Sequence, residues 1–307
     1  MLHKFIKLVL LTKIRKNPTD VVSIYDTFSD LMNITTGGKM LNFGYWDNEV
    51  KTPLDAQIKL TNILGEFGRF INAKYILDLG SGYSIPALKW LEDYPTASIY
   101  CINVSYNQIK HAKNFLSESQ SSKKYSSRSD STVNLKDQLS HINSTGTFLA
   151  LQNSTMDRIV AFESAHHFSP FVDFITEARR VLKVSGLLVI AIPVIINKSS
   201  GKRIPTRELK ELGILNITWA SEHYEIDRIK SIIENNGFKI DEMVLIGSNV
   251  YQPLANYYLK NRNHLRKIIL SHYPKYLEIV IHRSMSKMKS ASEKGIIEYA
   301  LFRTIKR

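Results

Sequence analysis

Tyr75-Ile-Leu-Asp-Leu79 is a short apolar run that passes without a break into Gly80-Ser-Gly-Tyr-Ser84. An apolar run closed by a glycine pair, with Ser84 and Pro86 following, reads as a buried strand, a sharp turn and a helix start. Glycine lets the chain turn at the strand's carboxyl end, so a ligand can approach the backbone N–H groups at the N-terminus of the next helix. Downstream the pattern alternates: helix 85–93, strand 98–104, helix 106–116, strand 157–162, helix 170–182, strand 186–192, helix 222–236, strand 238–246. Such alternation predicts an α/β fold with a Rossmann-like, doubly wound, mostly parallel sheet covered by helices on both faces. Open sheets of this kind bind ligands outside the carboxyl ends of their strands.

Upstream of Tyr75 the periodicity is helical. A basic amphipathic helix over 4–16 is followed by the cap signal Asn17-Pro-Thr-Asp20, a second helix reaching Met32, the breaker Gly37-Gly38, and a third helix from Pro53 to Ile71. Residues 1–72 therefore read as a helical lid ahead of a core that spans 73–307. Two insertions interrupt the core. Residues 117–140 open with eight serines in the fifteen residues Ser117 to Ser131, too polar to bury a core of their own, and are expected to be flexible. Residues 251–290 are basic and helical, with Leu254, Tyr257, Tyr258, Leu265, Ile268 and Ile269 at helical spacing. Gly295 to Thr304 alternates as a last strand.

Composition bounds the function. Cys101 is the one cysteine of the 307 residues, which rules out a disulfide framework and fits a reducing cytoplasm. The longest apolar run, 186–196, contains Pro193 and is too short to span a membrane. The N-terminal apolar stretch is broken by Lys7 and has no small-residue cleavage site, so it reads as a retained helix. Net charge is +13 and is uneven: residues 1–16 carry five Lys/Arg and no acid, and residues 251–290 carry eight Lys/Arg against Glu278. Two basic ends can attract an anionic membrane surface, a phosphorylated substrate or nucleic acid, or can simply keep the protein soluble.

The turn itself discriminates between ligands. A dinucleotide fingerprint needs glycine at the sixth position of G-x-G-x-x-G, where this chain has Ile85, and Asp78 would repel a pyrophosphate. A carboxylate there suits a cationic ligand. Ile76-Leu-Asp-Leu-Gly-Ser-Gly82 resembles the first motif of the class I S-adenosylmethionine-dependent methyltransferases, and the resemblance runs from about Tyr25 onward. It extends to the small-molecule branch, which includes natural-product O-methyltransferases, cyclopropane-synthase-like and tocopherol-methyltransferase-like enzymes. Asn42-Phe-Gly-Tyr-Trp-Asp47 is similar to the entrance segment N-x-G-Y-W of that branch. Asn103-Val-Ser-x-x-Gln108 is similar to its Asn/Thr-hydrophobic-Ser-x-x-Gln, where most class I enzymes have an acid in place of Asn103. Glu163-Ser-Ala-His-His-Phe168 and Phe174-Ile-x-Glu-Ala-Arg-Arg-Val-Leu182 match two further blocks, whereas Ser144-Thr-Gly146 stands where the family has Gly-Asp-Ala.

The resemblance implies S-adenosyl-L-methionine as cofactor and a late antiparallel strand that closes the sheet. It implies cofactor contacts from Tyr25, Tyr45, Trp46, Asp78, Gly80, Ser81, Gly82, Asn103, Val104, Ser105 and Gln108. Ordinary core packing is the alternative for Tyr45 and Trp46. His166 or His167 is the candidate general base for a hydroxyl acceptor, with Glu163 orienting the acceptor or the histidine. Structural packing is the alternative for that pair. A metal site is not expected, because adjacent histidines generally diverge and no spaced ligand completes one. The expected acceptor is small or lipid-like, reached in the cytoplasm or at an anionic membrane surface, and nucleic acid is disfavoured because the amino-base signature is missing at Glu163. A catalytically degenerate binding protein of the same fold and a C-methyltransferase of an isoprenoid or quinone-like substrate are the alternatives.

Overall fold

The computed structural model describes residues 40–121, 135–196 and 225–307, with 22–23, 29 and 31–34. The expected helix over 4–16, Tyr25 and most of the Ser-rich insertion lie outside the described residues. Among the described residues seven strands form one sheet: β1 (Tyr75–Leu79), β2 (Ser98–Asn103), β3 (Leu139–Asn143), β4 (Met156–Phe162), β5 (Leu182–Ile195), β6 (Phe238–Leu245) and β7 (Ile297–Lys306). Their order is β3-β2-β1-β4-β5-β7-β6. β7 is antiparallel to both β5 and β6, and the remaining pairs are parallel.

Helices cover both faces. They are α1 (Pro53–Phe67), α2 (Ile85–Asp93), α3 (Tyr106–Ser121), the short α4 (Leu135–Gln138), α5 (Phe171–Val181), α6 (Ile226–Asn235), α7 (Gly247–His272) and α8 (Lys275–Glu293). Period-two alternation along each strand sorts the core into two layers. Ile76, Ile99, Val160 and Val189 pack with Leu60 and Leu64 of α1, Trp90 of α2 and Tyr251 and Leu254 of α7. Leu77, Ile102, Ile159 and Leu188 pack on the other side with Phe171, Phe174 and Ile175 of α5 and Ile229 and Ile233 of α6. The segment leading into α1 belongs to the first layer, since Trp46 and Leu60 share its cluster.

One strand departs from the sequence pattern. β3 has no counterpart among the expected strands, because Leu-Ser-His-Ile-Asn is short and half polar. The basic segment 251–290 is a hairpin of two long helices, α7 and α8, joined at Tyr273-Pro274, with Tyr258, Leu265 and Ile269 packed against Ile281. Glu278 is buried within it and accepts from Arg262 Nε at 2.8 Å. Among the described residues no helix is long and apolar enough to cross a membrane.

Candidate active site

β1, β2 and β4 end side by side, and the turn after β1 occupies the edge between them. Gly80 takes φ +78° and its N–H donates to Ile102 O at 2.8 Å, which ties the turn to β2. A Cβ at Gly80 would collide with Ser164 Cβ, so the segment after β4 leaves no room for a side chain there. Gly82 also has positive φ, and Ser84, the residue before α2, sits at φ +58°. Ser84 does not cap the helix as its sequence position suggests. Its hydroxyl instead lies 3.2 Å from both Ser81 Oγ and His141 Nε2.

Asp78 lies one residue before the end of β1, in register with Cys101 of β2 and His141 of β3. It is 2% exposed, and burial raises its carboxyl to about 7. Burial and the nearby Lys113 lower His141 to about 4, so this row brings no cation to offset an Asp78 carboxylate. A cation placed beside such a group would favour its ionised form.

At the end of β2 the missing acid has a physical replacement. Asn103 Nδ2 donates to Gly82 O at 3.0 Å and to Gln108 Oε1 at 2.8 Å, and its Oδ1 accepts from Ser105 N at 2.9 Å. Its amide is committed to holding the glycine turn and the start of α3. Ser105 Oγ accepts from Gln108 N, and the Val104 carbonyl accepts from Asn143 Nδ2. Gln108, 6% exposed, keeps a buried Nε2 with no hydrogen-bond partner among the described residues. The donor free for a ligand is therefore on Gln108, one helical turn beyond Asn103.

The entrance segment is clamped over this edge. Gly44 is required because its φ is +95° and a Cβ would stand 2.7 Å from Ala56 of α1. Tyr45 N donates to Ala56 O, and Trp46 N to Asn249 O of α7. Trp46 is buried, with its ring 5.7 Å from that of Tyr257, so it joins the first core layer while its indole N–H stays unpartnered.

Glu163 follows β4 in a left-handed conformation, φ +52°. Its carboxylate accepts from Phe43 N at 3.0 Å and from the Tyr299 hydroxyl at 2.8 Å, and burial pushes it up to about 8. Glu163 thus joins the entrance segment to β7, a role that its place in the sequence does not suggest. His166 and His167 lie on the 3-10 turn Ala165–His167 just beyond. Their rings do not diverge: the centroids are 4.0 Å apart. Tyr299 and Gln57, whose Nε2 donates to the carbonyls of Met40 and Asn42, escape sequence reading. The only signal for Gln57 is a polar residue in the apolar stripe of α1.

The matched block after His167 has a supporting function. Glu177 Oε2 accepts from Leu149 N, while Arg180 donates to the carbonyls of Leu149 and Leu151 and to Asn153 Oδ1. Two charged side chains of α5 thereby fix the loop before β4. In place of the absent Gly-Asp-Ala, Thr145 and Phe148 form a bridge, and a Cβ at Gly146 would press on the Phe168 ring at 2.7 Å.

Residues 77–190 match the model of the family described as Methyltransferase domain. The chain is 26% identical over 239 residues to erythromycin 3''-O-methyltransferase of Saccharopolyspora erythraea, covering 77% of this chain and 74% of that one. It is 24% identical over 199 residues to 27-O-demethylrifamycin SV methyltransferase of Amycolatopsis mediterranei, covering 65% and 67%. The crystal structure of mycolic acid cyclopropane synthase CmaA1 complexed with SAH and CTAB superposes with a TM-score of 0.74 at 15% identity, covering 95% of this chain and 99% of that one. The edge fits S-adenosylmethionine: glycine at 80 and 82 in the turn, a buried Asp78 carboxyl and, among the described residues, an unpartnered amide donor on Gln108. The domain match, the methyltransferase relatives and the fold together support a class I S-adenosylmethionine-dependent methyltransferase that acts on small molecules.

Proposed function

We propose that the chain methylates a hydroxyl oxygen of a small or lipid-like acceptor, with His166 or His167 as general base. The observation that carries this reading is the histidine pair on the turn after β4, two and three residues beyond Ser164, whose side chain abuts Gly80. The names of the two relatives above, both of them methyltransferases and one explicitly of a 3''-oxygen, support oxygen as the acceptor atom. When bound, the cofactor supplies an electrophilic methyl group on a sulfonium. The residues then have separable tasks. Gly80, Ser81 and Gly82 would present backbone to it, Asp78 would offer its ammonium a counter-charge, and Gln108, held by Asn103 and Ser105, would donate to its ribose. Alignment of acceptor and methyl carbon does most of the work in such a displacement. Glu163 keeps the entrance segment closed through Phe43, with Tyr45 and Trp46 as its aromatic cover and Val104 beside the nucleoside. Tyr25 belongs to the same proposal.

The base assignment has a direct test. His166→Ala and His167→Ala, each assayed with S-adenosylhomocysteine affinity measured in parallel, are expected to leave that affinity unchanged, and one of them to lose about 100- to 10,000-fold in turnover. Full turnover in both variants removes the base. Labelled-methyl mass spectrometry of the product separates oxygen from carbon methylation.

The basic hairpin of α7 and α8 supports a peripheral membrane location for an apolar acceptor. Lys260, Lys267, Lys275, Arg283, Lys287 and Lys289 all lie on it. Co-sedimentation with vesicles is expected to rise with anionic lipid and to fall with salt. Binding indifferent to lipid charge contradicts this location.

A further inference from the structure

Every second residue of the turn after β1 has positive φ: Gly80 at +78°, Gly82 at +54° and Ser84 at +58°. Glycine enters that region without penalty, whereas a serine there brings its Cβ against the following carbonyl. Some contact must therefore hold Ser84 in place. Its backbone does part of this, since Ser84 N donates to Ser81 O at 2.7 Å and Leu88 N donates to Ser84 O at 3.1 Å. Those bonds do not use the side chain, and glycine would make them equally well.

The hydroxyl supplies what glycine could not. Ser84 is 1% exposed, and its Oγ donates to Ser81 Oγ at 3.2 Å and lies 3.2 Å from His141 Nε2. A serine hydroxyl has one proton. Spent on Ser81, it leaves Ser84 Oγ to accept from His141, which sets that imidazole as the Nε2–H tautomer. Burial and Lys113 lower His141 to about 4, so the ring is neutral at pH 7.5 and a single nitrogen carries its proton. Cys101, level with His141 in the sheet, puts its thiol against both serines, and a thiol is too weak a partner to direct a hydroxyl. A relay of three side chains thus runs from β3, at the edge of the described sheet, to the residue between the two glycines.

We propose that His141 is a positioning residue for the cofactor: through Ser84 it fixes the left-handed residue that closes the turn, and through Ser84 and Ser81 it fixes the backbone presented to the ligand. The proposal rests on the S-adenosylmethionine site described above. It gives β3 a task at the ligand edge.

The test is a double-mutant cycle read by calorimetry with S-adenosylhomocysteine, in the full chain at pH 7.5. His141→Phe keeps an aromatic ring and removes the donor, and is expected to weaken binding by about 3- to 10-fold. His141→Gln, whose amide can place an N–H where Nε2 stands, is expected to stay within about twofold of wild type. In a Ser84→Gly background, where the left-handed residue needs no hydrogen bond, His141→Phe is expected to cost less than about twofold. A role confined to packing gives the opposite pattern: the same loss in both backgrounds, and no recovery with glutamine. Either of those results, or an unchanged affinity in His141→Phe, overturns the proposal. Ser84→Ala reads the contact from its other end, since it removes the hydroxyl, keeps the Cβ and leaves β3 untouched. It should lose affinity by a similar factor, and wild-type affinity in Ser84→Ala is equally fatal to the relay. A wild type that does not bind S-adenosylhomocysteine overturns the cofactor site as well, whereas a binding wild type with uncoupled losses overturns the positioning role alone.

Discussion

Gly80→Val is expected to abolish uptake of S-adenosylhomocysteine and to lower the melting temperature by about 6 °C or more. Two costs combine. At φ +78° an L side chain occupies the left-handed region, at about 1–2 kcal/mol, and more for a β-branched residue. The new Cβ also meets Ser164 just beyond β4, and overpacking of this kind costs about 1–3 kcal/mol. Because Ser164 lies between Glu163 and the histidine turn, relief of the clash displaces the segment after β4 that carries the proposed chemistry. Gly82→Ala is the control: its Cβ meets only Leu41 at 3.9 Å, so stability should change by about 1 kcal/mol while affinity still falls. Thermal melts and calorimetry on the two variants separate damage to the fold from damage to the ligand edge. Full affinity in Gly80→Val removes the turn from the site.

Asp78→Asn is expected to weaken S-adenosylhomocysteine by between about 10- and 150-fold at pH 7.5, the range for a hydrogen bond to a charged group. The pH dependence is more diagnostic than the magnitude. Burial holds the Asp78 carboxyl at about 7, well above its ordinary 3.8. In the unliganded protein the native state therefore binds a proton that the unfolded chain has released. The stability so gained is fully present below about 3.8 and is lost as pH rises through about 7. Ligand binding runs the other way, because an ammonium partner requires the carboxylate. Affinity should rise with pH, approaching about tenfold per unit below 7, and level off above it. The Asn variant has no proton to release, so both slopes at this position disappear. Binding titrations from pH 5.5 to 7.5 check this, and an identical profile in wild type and variant contradicts it.

The central strands and the turn were legible because their signals are local. Tyr75 to Ser84 carries its own apolar run and breakers, and strands 98–104, 157–162 and 238–246 stand within two residues of β2, β4 and β6. β3 was not legible, since Ser140 and His141 interrupt its apolar pattern and its place is fixed by pairing with β2. β5 begins earlier than its apolar run because Leu182 pairs with Met156 before the irregularity at Arg158. The same distinction governs the site. Asp78 and the glycines are read from adjacent residues, but Glu163 is defined by partners 120 and 136 positions away. Asn103 marks a departure from the family pattern in sequence, and only the structure shows its amide spent on Gly82 and Gln108. Ser84 and His141 stand 57 positions apart with no signal for each other in the sequence, so their contact is a property of the packed chain.

The proposed activity requires the turn after β1 to receive a methionine-bearing nucleoside, and calorimetric titration of the full chain with S-adenosylhomocysteine tests this most directly. The predicted result is saturable one-to-one binding that 5′-methylthioadenosine, which lacks the amino-acid group, reproduces only weakly and a reduced nicotinamide dinucleotide not at all. A folded protein that gives no heat with S-adenosylhomocysteine at millimolar concentration, or that prefers the dinucleotide, contradicts it.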